Sequence, residues 1–277
     1  MGMRIGTNIA SINAQRNLVG SQRSINKSME QLSSGSRINK AADDAAGLAI
    51  SENLKSQVRS LGQASKNAND GISMIQTAEG GLSEISNILT RMRELGVQAS
   101  SDTIGEKERG FLNKEVQQLK EEAQRITQTT KFGNAKLLDG SADTYDFQVG
   151  IGNRKEADRI SFRAGDTDAS ISTLGIEGFD FSTKSGARDA LDVVDNAQSQ
   201  VNGYRANLGA LQNRLQSTID NLGVQHENIS AANSRIRDTD IAAATADSTR
   251  NQILLAANAN VLAQANSMPN TALKLIA

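Results

Sequence analysis

The chain holds a single histidine, His226, and no cysteine. Glu227 follows it, as at the start of a zinc-protease helix motif that needs a second imidazole one turn on. Here the run is HENIS, with Ser230 in the second ligand position. Zinc hydrolysis is therefore excluded at this site, and His226 reads as a solvated or seam-edge residue. Asp43 and Asp44 form a second candidate, a pair of adjacent carboxylates. Standing directly before AAGLAI, they suit a helix N-cap and first-turn charge better than acid–base work. Gly150-Ile-Gly152 has the spacing of a dinucleotide-binding turn, but Lys155 holds the third glycine position. A hairpin turn is the better reading there. With one histidine and no thiol, no Ser/His/Asp or Cys/His nucleophile can be assembled. The residues predict no enzyme: no catalytic, cofactor-binding or metal-binding residues.

The elements that could position such residues are unusual in composition. Hydrophobic residues make up 38% of the 277, aromatics only 3%, and tryptophan is absent. Compact cores lean on aromatic burial, so a core of Ala, Leu, Ile and Val suits helices packed side by side. Pro269 is the one proline, which leaves the chain before it free to run in long helices. The 30 basic and 31 acidic side chains nearly cancel, giving no field to draw nucleic acid or an anionic membrane. No apolar run reaches the roughly 18 residues that argue for a membrane span. The first twenty residues lack the apolar h-region of a secretory signal peptide. A dedicated export route or the cytoplasm is expected instead.

Periodicity supplies the strongest signal. Val194, Val201, Leu208, Leu215, Leu222, Ile229 and Ile236 recur every seven residues, beside a second rail of Ala197, Tyr204, Leu211 and Ile219. Such a sustained heptad seam predicts a coiled coil, roughly 65 Å long at 1.5 Å per residue. Val58, Leu61, Ala68, Ile72, Ile75, Leu82, Leu89 and Met92, with Ile85, form a matching stretch. A shorter ladder runs through Leu112, Val116, Leu119, Ala123 and Ile126, with Thr103 and Glu106 as its expected capping box. Three seams need partners, and one bundle satisfies them. Between 132 and 185, glycines punctuate short β-like runs. Tyr145–Ile151 and Arg159–Phe162 are expected to pair as a hairpin across a polar turn near 153–158.

The two ends carry thinner apolar stripes. Ile5, Ile9, Ile12, Leu18, Ile25, Met29 and Leu32 lie at one end, with a register slip between Ile12 and Leu18. Ile241, Ile253, Leu255, Val261, Leu262 and Met268 lie at the other, diluted by Ala, Asn, Gln and Thr. Such helices are marginal alone in water. The expectation is that they are disordered in the isolated chain and fold on association.

Three runs carry a family resemblance: LSSGSRINKAADDAAGLAI (32–50), QASKNANDGI (63–72) and SRIRDTDIA…NQILLAANANVLAQAN near the C-terminus. They strongly resemble the signatures of bacterial flagellins, in the family's order. The resemblance implies a mainly α fold: a long antiparallel helical bundle with a small β-hairpin region. Residues 1–44 and 236–277 would form the inner D0 helices. Residues 45–235 would form the D1 rod, divided at 131/132 and 185/186 into N-terminal helices, a β-rich segment and a C-terminal helix. Only about 50 residues separate the two halves, so the chain resembles a minimal flagellin without outer domains.

The resemblance further implies a subunit that polymerises through its terminal helices into the flagellar filament used for motility. Ile5, Ile9, Ile12, Leu18, Ile25, Leu32, Ile241, Ile253, Leu255, Val261 and Leu262 would serve D0 assembly. Val58, Leu61, Ile72, Ile75, Leu82, Val194, Val201, Leu208, Leu215, Leu222 and Ile229 would form the D1 core. Implied partners are further copies and other flagellins, an export chaperone on 236–277, and the filament cap and hook-junction proteins. Arg91, Leu95 and Glu115 match the positions read by a vertebrate innate receptor. The implied location is a secreted filament, extracellular or, in some bacteria, sheathed or periplasmic. Two rivals share the long helices. A hook–filament junction protein would match DDAAGLAI and NDGI less well, and a chemoreceptor-like signalling hairpin would lack the glycine-rich β segment.

Overall fold

Uninterrupted helix-forming sequence, free of proline up to residue 269, yields two very long helices. In the computed structural model, which describes residues 7–141 and 143–276 with side chains through Met268, α2 spans Ala45–Ala99 and α5 spans Lys184–Arg237. At 1.5 Å per residue each is about 80 Å long. The remaining helices are α1 (Ile9–Ser34), α3 (Glu106–Thr129), the one-turn α4 (Lys155–Asp158) and α6 (Ile241–Ile276). Ile5 lies outside the described residues.

Two compact units are present, residues 59–227 and residues 1–58 with 228–277. The unit boundaries fall within α2 and α5 and not at the helix breaks near 44 and 236.

Unit 59–227 is organised by the heptad seam. Val194, Val201, Leu208 and Leu215 of α5 are buried with Ile75, Leu82, Ile85, Leu89 and Met92 of α2. Ion pairs and hydrogen bonds set the two helices antiparallel: Arg93 with Asp195 at 2.6 Å, Gln198 with Ser86 at 2.7 Å and Arg205 with Glu79 at 3.7 Å. Leu61 and Leu222 are also buried and Ile72 is half-buried, as are Val58 and Ile229, which belong to the other unit. Burying each large aliphatic side chain contributes about 1.5–3 kcal/mol, which makes this seam the main stabiliser of the unit. A second cluster joins Leu95 and Ala99 of α2 to Val116 of α3 and to Phe181, Ala187 and Ala190.

The expected capping box before α3 is not formed. Gly105 occupies the N-cap without a side-chain hydrogen bond, and Thr103 Oγ1 instead lies 2.8 Å from Ser101 Oγ. Arg109 closes this corner, donating to the carbonyls of Ala99 and Ser101, both at 2.8 Å.

The β segment holds two separate two-stranded antiparallel sheets, β1 (Lys131–Phe132) with β2 (Ala135–Lys136), and β3 (Thr144–Gln148) with β4 (Arg159–Arg163). The expected hairpin is present, but its first strand ends at Gln148 and not at Ile151. The chain leaves the ladder there because the backbone N–H groups of Gly152 and Arg154 turn onto the Asp158 carboxylate, at 3.3 and 2.9 Å.

Candidate assembly surfaces

The signature runs noted in the sequence are structural parts. Asn67 in QASKNANDGI donates to the Gln148 carbonyl at 3.0 Å, and Gly71 lies under the Phe147 ring. A Cβ at Gly71 would stand 3.0 Å from that ring, so glycine lets the hairpin seat on α2. In the other unit, LSSGSRINKAADDAAGLAI turns the chain from α1 into α2. Gly35 supplies the left-handed C-cap of α1 at φ 67°. Ile38 is buried at 2% exposure, and Asp44 caps α2 by accepting from the Gly47 N–H at 2.8 Å.

SRIRDTDIA meets this turn. Arg37 N–H donates to the Arg237 carbonyl at 2.6 Å, and Thr239 N–H donates to the Gly35 carbonyl at 2.9 Å. Arg37 also donates through Nη2 to the Ile236 carbonyl at 2.7 Å, and Arg237 pairs with Glu52 at 2.5 Å. Asp43 pairs with Lys27 at 2.9 Å and accepts from the Lys40 N–H, which together hold its carboxyl below the ordinary 3.8. The reading of Asp43 and Asp44 as cap and turn carboxylates fits this geometry.

Beyond the clamp, α1 and α6 pair antiparallel. On α1 the seam positions are Ser11, Ala14, Leu18, Ser21, Ile25, Ser28 and Leu32, each buried or half-buried. On α6 they are Ala244, Ser248, Asn251, Leu255, Asn258, Leu262 and Ala265. Both rows keep alternating three- and four-residue steps, so the slip noted between Ile12 and Leu18 marks two stripes on one continuous helix. One stripe is the seam. The other faces outward.

The outward stripe is the more apolar in large side chains. Ile9, Ile12, Val19 and Met29 on α1, and Ile241, Ile253, Leu254, Val261 and Met268 on α6, are 42–65% exposed. Among the described residues, these are nine of the fifteen large hydrophobics so exposed, which makes this helix pair the principal apolar surface. The expected assembly residues thus divide. Ile9, Ile12, Ile241, Ile253 and Val261 face outward, while Leu18, Ile25, Leu32, Leu255 and Leu262 line the seam within the chain. Val19, Met29 and Leu254 join the outward set, which heptad counting alone missed because it followed one stripe per helix. In the folded chain the ends also have an internal partner in each other.

The expected receptor triad also divides. Arg91 is exposed and bridges Glu115 and Glu94 at 2.9 and 3.0 Å. Leu95, however, is 1% exposed inside the second cluster, because the helical step from Arg91 turns it toward Val116 and Phe181. The structure corrects its assignment as a surface contact. His226 is exposed. Among the described residues no group of three or more His, Cys, Asp or Glu side chains is placed to hold a metal, and no helix is long and apolar enough to cross a membrane.

Comparison with known proteins decides the family. The profile of the bacterial flagellin N-terminal helical region matches residues 5–143, and that of the C-terminal helical region matches 191–276. The chain belongs to the bacterial flagellin family. It is 47% identical to a flagellin of Halalkalibacterium halodurans over 274 residues, covering 99% of this chain and all of that one. A flagellar filament core protein of Brachyspira hyodysenteriae is 40% identical over 284 residues, with the same coverage. The crystal structure of Bacillus cereus flagellin superposes with a TM-score of 0.52 at 29% identity, covering 61% of this chain and 94% of that one. Flagellins are structural proteins, in keeping with a chain whose signature motifs cap helices and seat a hairpin.

Proposed function

We propose that this flagellin, a structural subunit of the filament that drives bacterial motility, polymerises through the outward apolar rows of α1 and α6. The observation that carries the reading is the inversion between the two faces of the helix pair. Small and polar residues occupy much of its internal seam, while Ile12, Ile253, Leu254 and Val261 point outward. These side chains are already about half covered, so leaving the row in water forfeits about 1 kcal/mol for each, and neighbouring copies can recover it. A contact repeated head to tail, with a rotation that does not close, generates a helical polymer. Residues 1–44 and 236–277 are the assembling D0 segments in this reading, and 45–235 the D1 rod.

The same exposed row explains the remaining partners. An export chaperone on 236–277 would cover Ile241, Ile253 and Val261 before assembly, preventing premature self-association. Secretion, a capped growing tip and a hook junction are the setting in which this reading places the chain. An innate receptor reading this chain would meet the Arg91–Glu115 pair on its surface.

Seeded elongation tests the reading. Full-length chain is expected to extend seeds into filaments seen by electron microscopy, and a 45–235 fragment to remain soluble. The single substitutions Ile253→Asp and Val261→Asp should raise the critical concentration for elongation without changing the melting of the 59–227 unit. Normal elongation by both variants would refute the assignment of the outward rows.

A further inference from the structure

The seam between α1 and α6 repeats every seven residues. A shift of one heptad in one direction would set Ile25 and Leu32 against Leu262 and Leu255 much as the observed register sets Leu18 and Ile25 against them. What distinguishes the registers is polar. Asn258 donates from Nδ2 to Ser21 Oγ at 3.1 Å, with both residues half-buried in the seam. Further out, Asn8 Nδ2 donates to the Ala265 carbonyl and Ser11 Oγ to Asn266 Oδ1, both at 2.7 Å. A one-heptad shift in one direction pairs Ser21 with Asn251 but sets Asn258 against Ala14, which has no side-chain acceptor. The opposite shift pairs Asn258 with Ser28 but sets Ser21 against Ala265, so each shift strands one polar group that the observed register pairs. Leaving an amide or hydroxyl unpaired in a seam costs more than leaving it in water.

The backbone clamp between Gly35–Arg37 and Arg237–Thr239 fixes the register at the base of the pair. The far end of α1 lies about 40 Å away at 1.5 Å per residue, across a seam too rich in Ala and Ser to enforce one alignment by packing. A single asparagine in a coiled-coil seam specifies register and partner at some cost in stability.

We infer that Ser21 and Asn258, backed by Asn8, lock the register and partner of the terminal helix pair. The lock selects the antiparallel pair of one chain over shifted pairs and over helices of neighbouring copies. It thereby holds the outward rows, Ile12 and Val19 on one helix and Leu254 and Val261 on the other, at one offset. These are positioning residues, and the inference rests on the reading that the terminal helices assemble the filament. A leucine at Asn258 would extend the row of Leu255 and Leu262, making the seam more adhesive and less selective.

The absence of native cysteine makes the test direct. Full-length chain carrying Ser11→Cys and Asn266→Cys has one introduced thiol pair, at positions whose native side chains are hydrogen-bonded to each other in the observed register. Filaments grown from wild-type seeds are oxidised mildly, and intrachain and interchain disulfides are separated on a non-reducing gel. Adding Asn258→Leu is expected to lower the intrachain yield about fivefold, the weight of one net hydrogen bond. Interchain dimers should rise and elongation slow. The exchange Ser21→Asn with Asn258→Ser, which keeps the polar pair, should restore both readouts.

Unchanged yield and elongation in Asn258→Leu would overturn the lock. So would slowed elongation with the intrachain yield retained, because Asn258 would then act by touching a neighbour. An exchange variant that stays at the Asn258→Leu level overturns it as well. A reporter chain with Ser21 and Asn258 intact that forms the intrachain disulfide yet extends no seeds would count against the terminal-helix reading and leave the lock standing.

Discussion

The α2–α5 seam and the α1–α6 seam share one spacing and differ in what fills it. In the first, Val194, Val201, Leu208 and Leu215 are each no more than 2% exposed. In the second, Ala14, Ser21 and Ser28 alternate with Leu18, Ile25 and Leu32, and the larger side chains of the neighbouring stripe face outward. Heptad periodicity therefore reports that a helix has a partner, and residue size reports how strongly it holds that partner. The bundle of 59–227 buries its seam within the chain. The terminal pair leaves its larger apolar side chains exposed, and the proposed assembly would cover them.

The sharpest way to break this contrast is to open a cavity in the strong seam. Leu215→Ala, at a fully buried position, should cost the 59–227 unit about 2–5 kcal/mol in thermal or denaturant unfolding. A loss under 1 kcal/mol would mean that the seam is not the main stabiliser. On the terminal pair the expected signature is reversed. Ile253→Asp, at 65% exposure, should leave unfolding of the bundle unchanged while raising the critical concentration for polymerisation at least about tenfold, or about 1.4 kcal/mol.

Smaller effects sharpen the comparison at the helix starts. Asp44→Ala removes the cap of α2 and should cost about 1 kcal/mol in filament or chain stability. Thr103→Ala, which removes no cap of α3, should change stability by less than about 0.5 kcal/mol. A larger loss would restore the capping box to that corner.

The smallest effect is a pH dependence at the turn joining α1 to α2. The Asp43 carboxyl is lowered from 3.8, by Lys27 first and by the Lys40 N–H next. Its stabilising contribution is thus complete above pH 3.8 and is lost as pH falls below that through the folded-state value. Asp43→Asn filaments should be weaker near neutrality and lose less on acidification below pH 3.8, read by light scattering. An acid response identical to that of the parent would remove Asp43 from the joint.

Much of this was legible in the residues. The long helices follow from apolar positions at 3.5-residue spacing with no proline before residue 269, and the hairpin from β-like runs around a polar turn. The signature runs carry the family resemblance by themselves. Three features were not legible. The capping box failed because Gly105 intervenes and Ser101 takes the Thr103 hydroxyl. Leu95 fell inside the bundle because its face depends on where α3 and Phe181 lie, which no local pattern states.

The third is the division of the terminal helices into an inward and an outward stripe. Sequence by itself determined that each end is an amphipathic helix with more apolar positions than one seam can use, since 3.6-residue periodicity is a property of the local chain. Which of those positions meet within the chain was decided only by tertiary structure. The clamp of Gly35 and Arg37 on Arg237 and Thr239, and the Ser21–Asn258 contact, join residues about 200 positions or more apart. Burial of a side chain is set by the partner it meets, and that partner lies at the other end of the sequence.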